Sequence, residues 1–317
     1  MRTLLKVLFG LVGLVVLLLA GFVAVYWEPD RSVAELKGRW ATPPSSFVDV
    51  AGLQVHMRDE GPREDPVPIV LLHGTSASLH TWDGWVAGLS ATRRVIRLDL
   101  PGFGLTGPYA DNDYRIEHYA AFTNAFLDRL GVTRCVLVGN SLGGQIAMVT
   151  LLAKPARVER LVLIDSSGYP LAPTAVPLGF RIAWLPLLNH IVRVTLPRRI
   201  VEESIRNVYG EPSRVTAQLV DRYFELALRD GNREALGLRM KHVENDAITA
   251  RIPTIKAPTL ILWGGRDRLI PPDAGKRFER DITGSRLYVF PELGHVPHEE
   301  DPVATVDVAR RFLEEVR

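Results

Sequence analysis

The chain is poor in cysteine: Cys135 stands alone among 317 residues. That excludes an internal disulfide and leaves this thiol, at the head of an apolar run, as a small packing residue. Net charge is equally scarce, since 38 Lys and Arg against 36 Asp and Glu leave +2. The overall balance therefore does not call for a nucleic-acid partner. His and Cys do not pair at ligand spacing on any one element, so no metal centre is expected. A hydrophobic share of 47% with 23% charged residues is that of a globular chain, not a disordered one. The length suits one large α/β domain with an insertion, or two ordinary domains.

Charge is missing altogether from one stretch. Between Val7 and Trp27, 21 residues carry no charged side chain. As a helix rising about 1.5 Å per residue they would extend about 31 Å, enough for a hydrocarbon layer of about 30 Å. Tyr26 and Trp27 close the run with aromatics suited to an interface. The competing reading is a cleaved signal peptide, for which the run is long, although Ala20 and Gly21 supply small residues. We expect residues 1–27 to form a single transmembrane anchor. Residues 28–45, polar and proline-bearing, are expected to be a linker holding the body off the membrane. Arg2, Lys6 and the amino terminus favour an inside N-terminus and a body outside the cytoplasm. Arg31, Lys37 and Arg39 on the far side weaken that asymmetry.

Beyond the linker the pattern alternates. Ser46–Val50 and Leu53–Arg58 flank Ala51-Gly52 as a β-hairpin. Apolar runs at 67–72, 94–98, 135–138 and 160–164 read as strands, and Arg115–Leu130 has helical spacing up to Gly131. Alternating strands and helices imply a mostly parallel sheet covered on both faces. The alternation breaks between Gly168 and Pro253. Val176–Leu196 is rich in large apolar groups, and Val201–Tyr209, Ser213–Arg229 and Arg233–His242 read as helices. Strands resume at Thr259–Trp263 and Arg286–Phe290, and Asp301-Pro302 opens a closing helix. The expectation is a core of residues 46–167 and 254–317, with residues 168–253 as a helical cap over the carboxyl ends of the strands, where such sheets bind ligands.

Gly139-Asn140-Ser141-Leu142-Gly143 is G-x-S-x-G, preceded by a strand and followed by a helix. Ser141 would sit on a sharp turn, with glycines on both sides allowing close backbone approach. The helix would point its positive end at the serine oxygen. Asp267 and His295 follow the predicted strands Thr259–Trp263 and Arg286–Phe290. Chemically, His295 would take the proton of Ser141 as it attacks a carbonyl. Asp267 would hold the imidazole and stabilise its charged form. Asp165, after the strand at 160–164, is the alternative acid.

With His73-Gly74-Thr75-Ser76, Asp99-Leu100-Pro101-Gly102-Phe103-Gly104, Gly264-Gly265-Arg266-Asp267 and Gly294-His295-Val296-Pro297, the chain from about Phe47 onward resembles the cap-bearing α/β-hydrolases, which include esterases, lipases and carbon–carbon bond hydrolases. The resemblance implies an oxyanion hole from the backbone N–H of Thr75 and Leu142, scaffold roles for His73 and Asp99, and no cofactor. A serine at position 141 sets the chain apart from relatives with an aspartate nucleophile, the epoxide hydrolases and haloalkane dehalogenases. The expected activity is hydrolysis of a hydrophobic or lipid-like ester. Cleavage of a carbon–carbon bond in a diketone, with Arg181 or Arg193 as a carboxylate clamp, and cofactor-free perhydrolysis are the alternatives. A catalytically idle, membrane-tethered binding protein is the reading from another class. Gly102–Gly107 also matches G-x-G-x-x-G, but Pro108 and Asp111-Asn112-Asp113 follow in place of a helix, so no dinucleotide is expected. His80, His118, His190, His242 and His298 are read as surface or packing residues.

Overall fold

The computed structural model of the chain describes residues 2–170, 193–242 and 246–315. Eight strands form one sheet: β1 (Ser46–Val50), β2 (Leu53–Glu60), β3 (Ile69–Leu72), β4 (Val95–Leu98), β5 (Cys135–Asn140), β6 (Val158–Ile164), β7 (Thr259–Gly264) and β8 (Arg286–Phe290). Their order is β1-β2-β4-β3-β5-β6-β7-β8. β2 runs antiparallel to both neighbours and every later pairing is parallel. The β1–β2 hairpin turns on Ala51 and Gly52, both at positive φ (53° and 85°), the backbone that a tight two-residue hairpin requires.

Alternation along each strand sorts the core into two layers. Val70, Leu72, Leu137, Leu163 and Trp263 face one side, against Phe126, Met148 and Phe278 of the covering helices. Ile69, Leu71, Val138, Val162 and Leu262 face the other, against Trp82, Trp85, Val306 and Phe312. Burying such aliphatic side chains is worth about 1.5–3 kcal/mol each. Cys135 lies in the first layer, fully buried. Burial pushes its thiol up to about 12, which keeps it unreactive.

The sheet reverses direction of growth at β3, since β4 lies on one side of it and β5 on the other. That switch point opens a crevice beyond the strand ends. Helices Arg198–Val208, Ala217–Ala227 and Asn232–Lys241 lie in the segment between β6 and β7. Much of the apolar stretch 176–196, with Arg181 and His190, lies outside the described residues. Ile205, Tyr209 and Val220 of this helical segment pack with Val296, beside His295.

The helix Arg2–Tyr26 is apolar and exposed, long enough by length and composition to cross a membrane. Residues 28–45, after it, are not the linker expected. Ser32 and Glu35 form a capping box that starts a helix, Val33–Trp40. Leu36 and Trp40, one turn apart, are buried with Leu105 and Leu226. Trp40 Nε1 donates to Glu225 Oε2 at 2.7 Å. Backbone bonds tie the same stretch to the helical segment: Glu28 N to Val194 O (3.0 Å), Arg31 N to Leu228 O (2.7 Å) and Asp230 N to Arg31 O (2.9 Å). The polar composition concealed one apolar stripe of two residues at helical spacing. Trp40→Ala should therefore destabilise the protein by about 3–5 kcal/mol in thermal or denaturant unfolding; an unchanged midpoint would restore the linker reading.

Candidate active site

Ser141 joins β5 to the helix Leu142–Ala153 at φ 54°, ψ −118°. A non-glycine residue held there stores roughly 1–3 kcal/mol of strain. The surroundings impose it. A Cβ added at Gly139 would lie 2.2 Å from Gly143 O, and one at Gly143 would lie 2.2 Å from Leu72 O. Only glycine fits at either place, so the turn presses against the end of β3. The helix is buried along nearly its whole length. The N–H of Leu142 is the first of its turn, with no acceptor inside the helix.

The loop after β3 is pinned by His73. Its Nε2 accepts from Leu100 N (2.9 Å) and its Nδ1 faces Gly74 O (2.7 Å). This fixes the neutral tautomer with hydrogen on Nδ1, and burial pushes the imidazole pKa down. Asp99 organises the loops around it, accepting from Leu79 N (2.7 Å) and Leu105 N (2.8 Å) and pairing with His56 (2.7 Å). Both residues thus act as scaffold in this structure. The glycine-rich run 102–107 wraps Asp99 as a turn and opens no helix.

Asp267 Oδ2 meets His295 Nδ1 at 2.7 Å, while its Oδ1 accepts from Leu269 N (2.8 Å) and Ile270 N (2.9 Å). Both side chains are buried. Ser141, Thr75 and His295 line one cavity of about 180 Å³. Its walls are mostly apolar, with Phe103, Ile200, Val201, Ile205, Leu236 and Val296 among them. The structure thus sets Ser141, Thr75 and His295 on one cavity and Asp267 against His295, with Leu142 following Ser141 in the chain.

A family model described as the alpha/beta hydrolase fold matches residues 67–302. The chain belongs to the α/β-hydrolase fold family. It is 30% identical over 234 residues to the uncharacterized hydrolase YugF of Bacillus subtilis, covering 74% of this chain and 85% of that one. It is also 30% identical over 266 residues to a 2-hydroxy-6-oxononadienedioate/2-hydroxy-6-oxononatrienedioate hydrolase of Klebsiella pneumoniae, covering 78% and 87%. Among solved structures, a membrane phospholipase A superposes with a TM-score of 0.72 at 25% identity, covering 98% of this chain and 96% of its own. A thermophilic esterase from Thermogutta terrifontis does so with 0.70 at 26%, covering 85% and 96%.

Several residues of this α/β-hydrolase site were not legible as such. Asn140, the variable position before the serine, donates from Nδ2 to Ile164 O (3.1 Å) and His295 O (3.0 Å). Glu300 accepts from Gly294 N (3.0 Å), Gly210 N (2.9 Å) and Glu211 N (2.9 Å). It joins the His295 loop to the helical segment. His298 is buried against Trp82 and bonded to Thr81 (3.2 Å). Burial, and then His295 beside it, push its pKa well down. Of the two arginines expected as a clamp, Arg193 is half-exposed and pairs with Glu234 at 2.6 Å.

The alternative acid, Asp165, is not the partner of the imidazole. Its Oδ1 accepts from Gly264 N (2.9 Å), yet its carboxyl, that of Asp267 and the His295 ring bring ligand-type atoms within 4.8 Å of one another. An ion bridging Asp267 and His295 would hold their atoms roughly 3.3 Å apart; at 2.7 Å they are hydrogen-bonded instead. Burial, and then the Asp267 carboxylate, push Asp165 well above the usual carboxylate range. It therefore holds its proton to higher pH than an ordinary carboxyl does. Above the unfolded-state value, about pH 4, the unfolded chain loses a proton that the folded chain retains, so stability falls as pH rises, by about 1.4 kcal/mol per unit until the raised pKa is passed. Asp165→Asn removes that slope. Its melting temperature relative to wild type should rise between pH 4 and pH 8; parallel curves would show that Asp165 ionises normally.

Proposed function

We propose that the protein is a membrane-anchored serine hydrolase that cleaves carboxylic esters of hydrophobic or lipid-like substrates through an acyl-enzyme. One observation carries the reading: a serine held in a strained turn opens on an apolar cavity that it shares with a histidine hydrogen-bonded to a buried aspartate. Ser141 Oγ attacks the ester carbonyl as His295 removes its proton. The oxygen that becomes negative is held by the N–H groups of Thr75 and Leu142, each worth about 2.7–4 kcal/mol in comparable sites. His295 then protonates the departing alcohol, and a water activated by the same imidazole releases the acid. Asp267 keeps the ring in the tautomer with hydrogen on Nδ1.

The helix Arg2–Tyr26 serves as the anchor on this reading, with the body on the non-cytoplasmic side. The residues that follow it, Glu28, Arg31 and Trp40, bond to the helical segment, which holds the body close to the end of that helix. The likeness to a membrane phospholipase A spans nearly the whole chain, which supports a lipid ester. A second reading, hydrolysis of a carbon–carbon bond, is favoured by the relatives named as oxononadienedioate hydrolases.

The test is turnover of p-nitrophenyl esters from short to long acyl chains by the detergent-solubilised protein. Rates should rise with chain length. Ser141→Ala should lower them by at least about a thousandfold and Asp267→Asn by about 10⁴-fold. Turnover that survives Ser141→Ala overturns the mechanism, and cleavage of a vinylogous diketone in place of any ester moves the function to the second reading.

A further inference from the structure

Apart from the catalytic groups and the hydroxyls of Ser76, Ser204 and Tyr223, the cavity lining carries one further polar pair. Asn232 and Arg233, the first residues of the helix Asn232–Lys241, form that pair. Both are more than nine-tenths buried, at 5% and 7% exposure. Asn232 Nδ2 donates to Gly104 O and Leu226 O, both at 2.9 Å. Its Oδ1 has no donor among the described residues. Arg233 Nη2 donates to Glu28 O (2.8 Å) and Asp30 Oδ1 (2.6 Å). Its Nε and Nη1 have no acceptor among the described residues.

A buried guanidinium with two idle nitrogens is costly to leave unmatched, as is a buried amide oxygen beside it. Asp30 offsets the charge from one side only. The helix starts on Gly231, whose residue type supplies no side-chain cap, so its positive end adds to the same potential. Glu234, the acid of that first turn, is engaged by Arg193.

We propose that Asn232 and Arg233 form an oxyanion-recognising subsite of the cavity. The substrate is then an amphiphilic ester: its acyl part lies on the apolar wall and a phosphate or carboxylate, remote from the scissile bond, meets Arg233. Asn232 Oδ1 accepts from a hydroxyl or N–H beside that anion. The inference rests on the ester-hydrolase reading and narrows its substrate class.

The experiment uses the full chain in detergent and matched ester pairs. One pair is a diacylglycerol and the phosphatidic acid with the same chains; the other is a neutral alkyl ester and the half-ester of a dicarboxylic acid. In wild type, kcat/KM favours the anionic member of at least one pair, and the preferred pair tells phosphate from carboxylate. Arg233→Gln lowers the anionic-to-neutral ratio by about 10-fold or more, as loss of a charged hydrogen bond does; Arg233→Lys retains part of it. Asp30→Asn keeps the ratio, because it removes the counter-ion and not the reader. Equal kcat/KM within both pairs, a ratio unmoved by Arg233→Gln, or the same loss in Asp30→Asn would overturn the subsite, the last by showing that Arg233 merely docks residues 28–30. A binding readout separates this from the catalytic reading. Octyl phosphate should raise the melting temperature of both wild type and Ser141→Ala above the effect of octanol, and should not do so in Arg233→Gln. Equal effects of the two ligands overturn the subsite even where Ser141-dependent turnover is intact. Ester turnover that ignores Ser141, with the phosphate effect intact, removes the mechanism alone.

Discussion

Between the turn after β5 and the end of β3 there is no room for a side chain, and the geometry of the site depends on that. Gly139, Gly143 and Leu72 approach so closely that any Cβ would overlap backbone. The chain can pass only by turning sharply, and the residue at the apex must accept positive φ. Serine at the apex is thus displayed by force of packing. The same proximity places Gly74, whose own Cβ would lie 3.1 Å from Ser141 Cβ, against the serine, and with it the N–H of Thr75. The strain is local and small beside the two core layers that hold the sheet, so the fold sustains it without rearranging.

The histidine is placed by a different principle. It lies on a loop, and a loop residue needs bonds from several sides to hold a fixed position. Asn140 holds the His295 carbonyl from the sheet, Val208 O receives the His295 N–H at 2.7 Å, and Glu300 takes the N–H of Gly294. Glu300 also takes two N–H groups of the helical segment at Gly210 and Glu211. Its two oxygens are satisfied by three donors, which is why a buried carboxylate is tolerated there. One side chain therefore couples the position of the imidazole to the end of the helix Arg198–Val208, which also lines the cavity.

What could be read in advance was whatever repeats or punctuates. The strands of the sheet are short apolar runs, and the hairpin turn at Ala51-Gly52 and the G-x-S-x-G turn have glycines at defined places. Ser141, Asp267 and His295 could be named because each comes just after such a run. What stayed hidden depends on contacts distant in sequence. Leu36 and Trp40 look unremarkable among charged neighbours, and their partners Leu105 and Leu226 lie far along the chain. Glu300 is one of several acids in its helix turn, and only the fold reveals three amides pointing at it. Asp165 was legible as an acid after a strand, but its raised pKa comes from its burial and then from the Asp267 carboxylate, roughly a hundred residues away. Composition alone cannot distinguish a polar linker from a helix with one buried stripe.

The packing of residues 28–40 changes how the apolar helix relates to the cavity on the proposed reading. Leu196 lines the cavity, and its N–H bonds to Tyr26 O at the last residue of that helix. Arg233 lines it too, and reaches back to Glu28 and Asp30. The rim of the site is therefore one hydrogen bond from the end of the membrane-length helix, where Tyr26 and Trp27 suit an interface. A body on a free linker would sample many orientations and meet substrate from water. If the helix anchors the protein as proposed, a body bonded to it in this way would keep one side of the cavity at the interface, so that an amphiphile whose acyl chain already lies in the bilayer would expose little apolar surface on its way to Ser141. At about 25 cal/mol for each Å² kept from water, the hydration cost avoided by that route grows with chain length, and the apolar wall of the cavity is matched to the same part of the molecule.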